Sequence, residues 1–190
     1  MITLNRVTKE TSIKVSVNIN GTGNYKISTG VGFFDHMLES FSKHSLIDIE
    51  IEAKGDTHID DHHTVEDVGI VLGQAFAEAI YPVKNIERFG SASIVMDEAL
   101  VSAHLDISNR PYLHFDISID GKVGNFDTEL VEEFFRAFVL NSRITLHLTE
   151  DRGRNKHHII EAGFKAVAVA LRRGLTENSR VTMPSTKGTI

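Results

Sequence analysis

The sequence contains no cysteine, only three prolines in 190 residues, and no long apolar run. The absence of cysteine excludes a disulfide framework and thiolate metal sites, so any metal must be bound by histidine and carboxylate side chains. No stretch approaches the roughly 18 consecutive apolar residues of a transmembrane helix, and the N-terminus has no apolar signal segment. We therefore expect a cytoplasmic protein without a membrane partner.

Positive charge is also scarce relative to negative charge. The chain has 20 Lys and Arg against 26 Asp and Glu, which gives a net charge of -6 with histidine neutral. The basic residues are scattered along the chain, so no nucleic-acid partner is expected. A small anionic group bound by a few convergent basic residues remains compatible with this charge. The 41% of hydrophobic residues suffice for one compact core.

The most informative feature is the pattern His-His-x-x-Glu, which occurs at residues 62–66 and again at 157–161. A helix turns by about 100° per residue, so the first His and the Glu lie on one face while the second His points elsewhere. Two adjacent histidines cannot easily bind one ion. Each copy therefore predicts half of a two-metal site, in which the i,i+4 pair binds one metal and the other His reaches a second metal.

A second repeated pattern, Val-Gly-x-Phe-Asp, occurs at residues 31–35 and 123–127, and each copy precedes a His-His-x-x-Glu copy. Such a duplication predicts an α+β fold with pseudo-two-fold symmetry, built from layers of sheet and helices. We place the half-repeats at residues 1–85 and 86–190, within one compact unit. The polar tail in the second half has the composition of a functional loop.

Apolar alternation and helical periodicity predict the individual elements. Strands are expected at residues 13–19, 46–51, 91–96, 101–107, 112–117 and 144–148. Helices are expected from the first Val-Gly-x-Phe-Asp copy to about residue 43, from His62 or His63 to about residue 80, from the second Val-Gly-x-Phe-Asp copy, and from His157 to about residue 173. Asp60 or Asp61 is expected to cap the second of these helices.

The pseudo-two-fold also divides the metal ligands between two ions. One metal would take His62, Glu66 and His158, and the other would take His157, Glu161 and His63. Each metal needs a fourth ligand. His36 is a natural donor for one, and its counterpart should lie on the second such helix, which offers Glu129, Glu132 and Glu133. This nitrogen-rich set without thiolate suits Mn, Fe, Co, Ni or Zn better than Mg or Ca.

Several blocks in order along nearly the whole chain resemble the imidazoleglycerol-phosphate dehydratases of histidine biosynthesis. The blocks are residues 29–38, 61–67, 96–100, 110–113, 153–162 and 184–188. The resemblance implies a duplicated ribosomal protein S5 domain 2-like fold and a homo-oligomer of 24 subunits with active sites at the interfaces. It also implies two Mn²⁺ per active site and the conversion of imidazole glycerol phosphate to imidazole acetol phosphate plus water.

Carried over to this chain, the resemblance places one metal on His36, His63, His157 and Glu161, and the other on His62, Glu66 and His158. The last ligand of the family is commonly a histidine, but this chain has Glu133 there. Glu10 falls on the position of the base that removes the C2 proton, and the ligands His36, His63, Glu66, His158 and Glu161 also count as catalytic. A second departure is Asn109, where the family usually has Gly; Asn tolerates a left-handed backbone.

The resemblance also implies a set of substrate-binding residues. The phosphate is expected to contact Arg88, Arg110, Ser185, Thr186 and Lys187. His44 and Asp97 are expected to line the pocket, with Lys165 as a further candidate. His104, His114 and His147 are interpreted as structural. Two alternatives remain open, namely a dinuclear metallohydrolase of a small phosphate ester and a metal-stapled assembly without catalysis.

Overall fold

A computed structural model describes residues 1–190 and contains ten strands and four helices. The elements are β1 (Ile2–Val7), β2 (Thr11–Asn18), β3 (Tyr25–Ser28), α1 (Gly32–Ser45), β4 (Asp48–Gly55), α2 (His62–Ile80), β5 (Phe89–Met96), β6 (Ala99–Asp106), β7 (Tyr112–Asp116), β8 (Lys122–Val123), β9 (Phe126–Asp127), α3 (Leu130–Ser142), β10 (Thr145–Arg152) and α4 (Lys156–Gly174). None of the four helices combines the length and the apolar composition that a membrane span requires.

Eight of the strands form two four-stranded sheets with equivalent strand order. The first sheet has the order β1-β2-β4-β3 and the second has the order β5-β6-β10-β7. In each sheet the first three strands are antiparallel neighbours and the last strand runs parallel to the strand beside it. The expected α+β class and internal duplication are confirmed.

Each sheet is covered on one face by helices, and the helices of the two halves pack together, α1 against α4 and α2 against α3. The alternation predicted for β2 places Ile13, Val15 and Val17 in the core while Lys14 is exposed. A single cluster of 46 buried hydrophobic residues connects the two halves. The sheets therefore lie outside, the helices lie between them, and the helix N-termini carry the histidine patterns.

Some element boundaries differ from the sequence prediction. The strand expected at residues 46–51 is β4, which begins at Asp48 because Leu46 adopts a left-handed conformation (φ 61°) that ends α1. The helix expected to open at the second Val-Gly-x-Phe-Asp copy starts only at Leu130. Residues 122–127 instead form the β8–β9 hairpin, which turns through Gly124 at φ 59°. Strands β1 and β3 were not predicted, because both are short and incompletely buried.

Candidate metal centre and active site

The clearest cluster of metal-ligating groups joins α1 to α4. His157 and Glu161 lie four residues apart on α4, and His157 Nε2 is 3.1 Å from Glu161 Oε2. His36, from the first turns of α1, places its Nε2 3.5 Å from the same oxygen. The three ligand atoms lie within 4.8 Å of one another, and no other group of three in the chain meets that spacing. The structure therefore assembles three of the four ligands expected for one metal.

The start of α4 is held in place by local contacts. Asn155 caps the helix, because its side-chain oxygen accepts hydrogen bonds from the backbone N–H groups of His157 at 3.0 Å and His158 at 3.4 Å. The ring of Phe33 lies edge-on against the ring of His157, with 5.2 Å between centroids. These contacts orient the first histidine of the pair towards Glu161.

Glu161 is 7% exposed, yet it is held as a carboxylate. Burial favours the neutral acid, but Lys165 Nζ lies 2.7 Å from Glu161 Oε1, and His157 and His36 face the other oxygen. Together these partners hold the pKa of Glu161 below its ordinary value. Lys165, expected from sequence as a substrate contact, is thus paired with Glu161, one of the three clustered candidate ligands.

The first histidine pair, at the start of α2, is less complete within one chain. His62 Nε2 lies 3.8 Å from Glu66 Oε2, and both side chains are nearly half exposed. The backbone N–H of His62 donates to the Asp60 carboxylate at 2.9 Å, whereas Asp61 makes no side-chain cap. Glu133 lies beside Arg136, at 4.0 Å, and does not form a ligand cluster with His62 and Glu66. No hydrogen bond or ion pair connects the two histidine pairs.

The second histidine of each pair is bound by a carboxylate that the sequence reasoning did not identify. His63 Nδ1 lies 3.0 Å from Asp56 Oδ2, and His158 Nδ1 lies 2.8 Å from Glu98 Oε2. The hydrogen bond to Asp56 raises the pKa of His63. The hydrogen bond from His158, followed by that from the Asn155 backbone, lowers the pKa of Glu98 to about 2. The only sequence signal for Glu98 was its position beside Asp97 in the family-like block at residues 96–100, and Asp56 had none.

The other expected pocket residues lie close to these groups. Glu10 Oε2 is 4.0 Å from His63 Nδ1, and Asp97 Oδ2 is 4.0 Å from His158 Nε2. His44 lies near Lys165 and Glu161, and its partial burial, followed by the charge of Lys165, lowers its pKa. The structure therefore places Glu10 and Asp97 at opposite histidine pairs.

The expected phosphate-binding residues surround a separate cavity of about 300 Å³. Its lining consists of Arg88, Arg110, Ser185, Thr186, Lys187, Thr189 and Ile190. Arg88 is bound through two nitrogens to the Asp106 carboxylate, with contacts of 2.6 and 2.9 Å, and donates a third hydrogen bond to the Pro184 carbonyl oxygen. Arg110 lies 3.7 Å from the same carboxylate. Arg88 therefore links the C-terminal tail to Asp106 on β6. The sequence predicted a phosphate contact for Arg88 but not this link.

Three histidines interpreted as structural lie outside the core. Register places His104, His147 and His114 side by side on β6, β10 and β7, and all three are exposed on the outer face of the second sheet. His104 contacts Ser91 Oγ at 2.9 Å. Asn109 adopts the expected left-handed conformation, with φ of 56°.

Comparisons with known proteins agree on one family. The family described as Imidazoleglycerol-phosphate dehydratase matches residues 29–171. The imidazoleglycerol-phosphate dehydratase of Sulfurimonas denitrificans is 71% identical over 187 residues, covering 98% of each chain, and that of a Sulfurovum species is 64% identical over the full length of both chains.

Two solved structures extend the likeness to the fold. The imidazoleglycerol-phosphate dehydratase of Staphylococcus aureus gives a TM-score of 0.83 at 47% identity, covering 93% of this chain and 99% of that one. The Pyrococcus furiosus protein, solved in complex with (S)-C348, gives 0.85 at 38% identity, covering 98% and 100%. The chain belongs to the imidazoleglycerol-phosphate dehydratase family and is a hydro-lyase of histidine biosynthesis.

Proposed function

We propose that this dehydratase depends on two Mn²⁺ per active site and converts imidazole glycerol phosphate to imidazole acetol phosphate plus water. The observation that supports metal dependence best is the convergence of His36, His157 and Glu161, whose ligand atoms lie within 4.8 Å of one another. Two imidazoles and one carboxylate, without thiolate, fit Mn²⁺ and its transition-metal neighbours. The paired carboxylate of Glu161 supplies the negative charge such an ion requires.

The remaining ligands belong to the first histidine pair and to the second histidine of each pair. His62 and Glu66 have no third ligand within reach in their own chain. We propose that neighbouring subunits of a 24-subunit assembly complete both metal sites, with His63 joining the first cluster and His158 joining His62 and Glu66. The Glu133 carboxylate oxygen Oε1 lies 4.0 Å from Arg136 Nε. Glu133 would be the last ligand only if its side chain turned away from Arg136.

The metals would act as Lewis acids on the imidazole nitrogens of the substrate, making the ring a better acceptor of charge. The chain itself must remove the C2 proton, and a proton must reach the C3 hydroxyl so that it departs as water; the net change is the loss of one H from C2 and one OH from C3. Glu10 suits this role, because its side chain is 55% exposed and its carboxylate accepts no hydrogen bond within the chain. His63 lies 4.0 Å away, so the carboxylate stands next to a proposed metal ligand.

The phosphate group of the substrate would bind in the cavity at the C-terminal tail. Arg110 is two-thirds exposed and Lys187 is exposed, so both cations are available to an anion. Ser185 and Thr186 add hydroxyl donors on the same wall. Arg88, already bound to Asp106 and Pro184, would contribute mainly by holding the tail in place.

The product distinguishes this proposal from hydrolysis. Mn²⁺-loaded protein incubated with imidazole glycerol phosphate is expected to form an enolisable ketone that retains its phosphate. Release of inorganic phosphate would instead identify a metallohydrolase. Glu10→Gln is expected to bind Mn²⁺ and assemble normally while losing turnover, because only the base is removed. A Glu10→Gln protein with full turnover would show that another residue takes the proton.

A further inference from the structure

The two halves use equivalent glutamates differently. Glu10 is the residue immediately before β2, and Glu98 is the residue immediately before β6. β2 and β6 occupy the same place in their sheets, second from the edge and antiparallel to the first strand. The pseudo-two-fold therefore makes Glu10 and Glu98 counterparts. Each faces Nδ1 of the second histidine of the pair in its own half, His63 or His158.

Both carboxylate oxygens of Glu98 are engaged in hydrogen bonds, which fix the position of its side chain. Its Oε2 lies 2.8 Å from His158 Nδ1, and its Oε1 accepts from the backbone N–H groups of Asn155 at 2.7 Å and Arg154 at 3.2 Å. A carboxylate can only accept, so the short contact requires that His158 carries its ring proton on Nδ1. The other ring nitrogen, Nε2, is then the one with a free lone pair.

In the first half, a different carboxylate takes that position. Asp56 follows directly after β4 and approaches His63 Nδ1 to 3.0 Å. Gly55 and Gly153 are equivalent, because a Cβ atom on either would meet the third residue of the following histidine pattern, Thr64 or Ile159. The residue after Gly153 is Arg154, which offers no carboxylate. Because Asp56 makes the close contact with His63 Nδ1, Glu10 Oε2 stays 4.0 Å from that nitrogen, and the Glu10 carboxylate has no hydrogen-bond partner.

We infer that Asp56 and Glu98 are positioning residues that keep His63 and His158 protonated on Nδ1. Because Asp56 makes this contact in the first half, Glu10 is not needed for it, whereas its counterpart Glu98 is. A carboxylate bound to the far nitrogen of a ligating histidine fixes both its tautomer and its ring orientation. Because the first half has Asp56 where the second half has Arg154, Glu10 is left without a hydrogen-bond partner and can act as a base, whereas Glu98 cannot. The freeing of Glu10 rests on the proposed function, in which Glu10 is the base; the positioning of the two histidines does not.

The test measures ring protonation in the metal-free full-length protein, so it is independent of turnover. Solid-state ¹⁵N spectra of histidine-labelled protein distinguish protonated from unprotonated ring nitrogens whatever the size of the assembly. His63→Gln and His158→Gln samples assign the two signals. Spectra are recorded well above the ordinary imidazole pKa, and Glu52→Gln, on the exposed outer face of β4, serves as the matched control.

The expected results differ between the two halves. Glu98→Ala should move the His158 proton to Nε2, which Asp97 faces at 4.0 Å. Asp56→Ala alone should leave His63 protonated on Nδ1, because Glu10 becomes the remaining acceptor, whereas Asp56→Ala with Glu10→Gln should abolish that preference. Glu10→Gln alone and Glu52→Gln should change neither histidine.

A second measurement separates this inference from the metal proposal. Calorimetric Mn²⁺ titration should show affinity reduced about 10- to 100-fold in Glu98→Ala and in the Asp56/Glu10 double variant, and unchanged in Glu52→Gln. The inference is overturned if Glu98→Ala leaves His158 protonated on Nδ1, or if Asp56→Ala alone has the effect of the double variant. Correct tautomers in a protein that binds no Mn²⁺ would refute the metal proposal and leave the positioning role intact.

Discussion

Replacement of Gly73 by alanine tests the close packing that joins the two halves. Gly73 lies on α2 where a Cβ atom would come 2.6 Å from the Phe138 carbonyl oxygen and 3.0 Å from the Ser142 backbone nitrogen, both on α3. Backbone atoms cannot swing aside as a flexible side chain can, so the helices must separate. Gly163, on α4, is the matched control, because its Cβ would meet only Ile117 and Val101 at 3.7 and 3.8 Å.

The expected sign differs between the two substitutions. Overpacking costs about 1–3 kcal/mol, and alanine in place of glycine in a helix recovers about 1 kcal/mol, so Gly73→Ala should lose up to about 2 kcal/mol. Gly163→Ala should gain up to about 1 kcal/mol. For a chain of this size these changes correspond to a Tm up to about 8 °C lower and up to about 4 °C higher, respectively. Thermal unfolding of metal-free samples measures both, and a Gly73→Ala protein more stable than the parent would refute the packing argument.

Two further changes test the tail and a loop. Asp106→Asn removes the charged partner of Arg88, so the tail should detach from its anchor at Pro184. Carboxypeptidase should then digest the tail faster, and KM should rise several-fold more than kcat falls. Unchanged digestion would contradict the anchoring of the tail by Arg88. Hydrogen bonds from the Asn24 and Thr22 backbones lower the pKa of Asp48, so its stabilising effect is present above the unfolded pKa near 4 and is lost as the pH falls through the folded pKa. The parent should lose more stability than Asp48→Asn between about pH 6 and about pH 3, as measured by urea unfolding, and equal losses would rule out this contribution.

Local patterns in the sequence predicted what depends on local geometry. The i,i+4 spacing of His157 and Glu161 requires only a helix, and the structure places the two side chains 3.1 Å apart. The repeated blocks predicted the duplication, because equivalent segments fold alike. The duplication suggested His36 as a further ligand and the family resemblance assigned it to the metal of His157 and Glu161; the packing of α1 on α4 brings it to the same carboxylate oxygen.

Contacts that depend on tertiary packing were not predictable in this way. Asp56 and Glu98 reach their histidines only because a loop and a hairpin turn pack over the starts of α2 and α4. Asp106 reaches Arg88 because β6 pairs with β5 in a register that sets Asp106 opposite Phe89. The second Val-Gly-x-Phe-Asp copy became a hairpin because Gly124 supplies a positive φ that a helix would not use.

The most direct test of the central claim measures metal content and dehydration in the same samples of full-length protein. The protein is stripped with a chelator, sized, reloaded with Mn²⁺ and assayed with imidazole glycerol phosphate, with Glu161→Gln in parallel. We expect the stripped protein to dissociate and to have no turnover. Reloading should restore the assembly, the activity and two Mn²⁺ per chain, whereas Glu161→Gln should recover neither full metal content nor turnover. Full dehydration by the metal-free protein would contradict metal dependence.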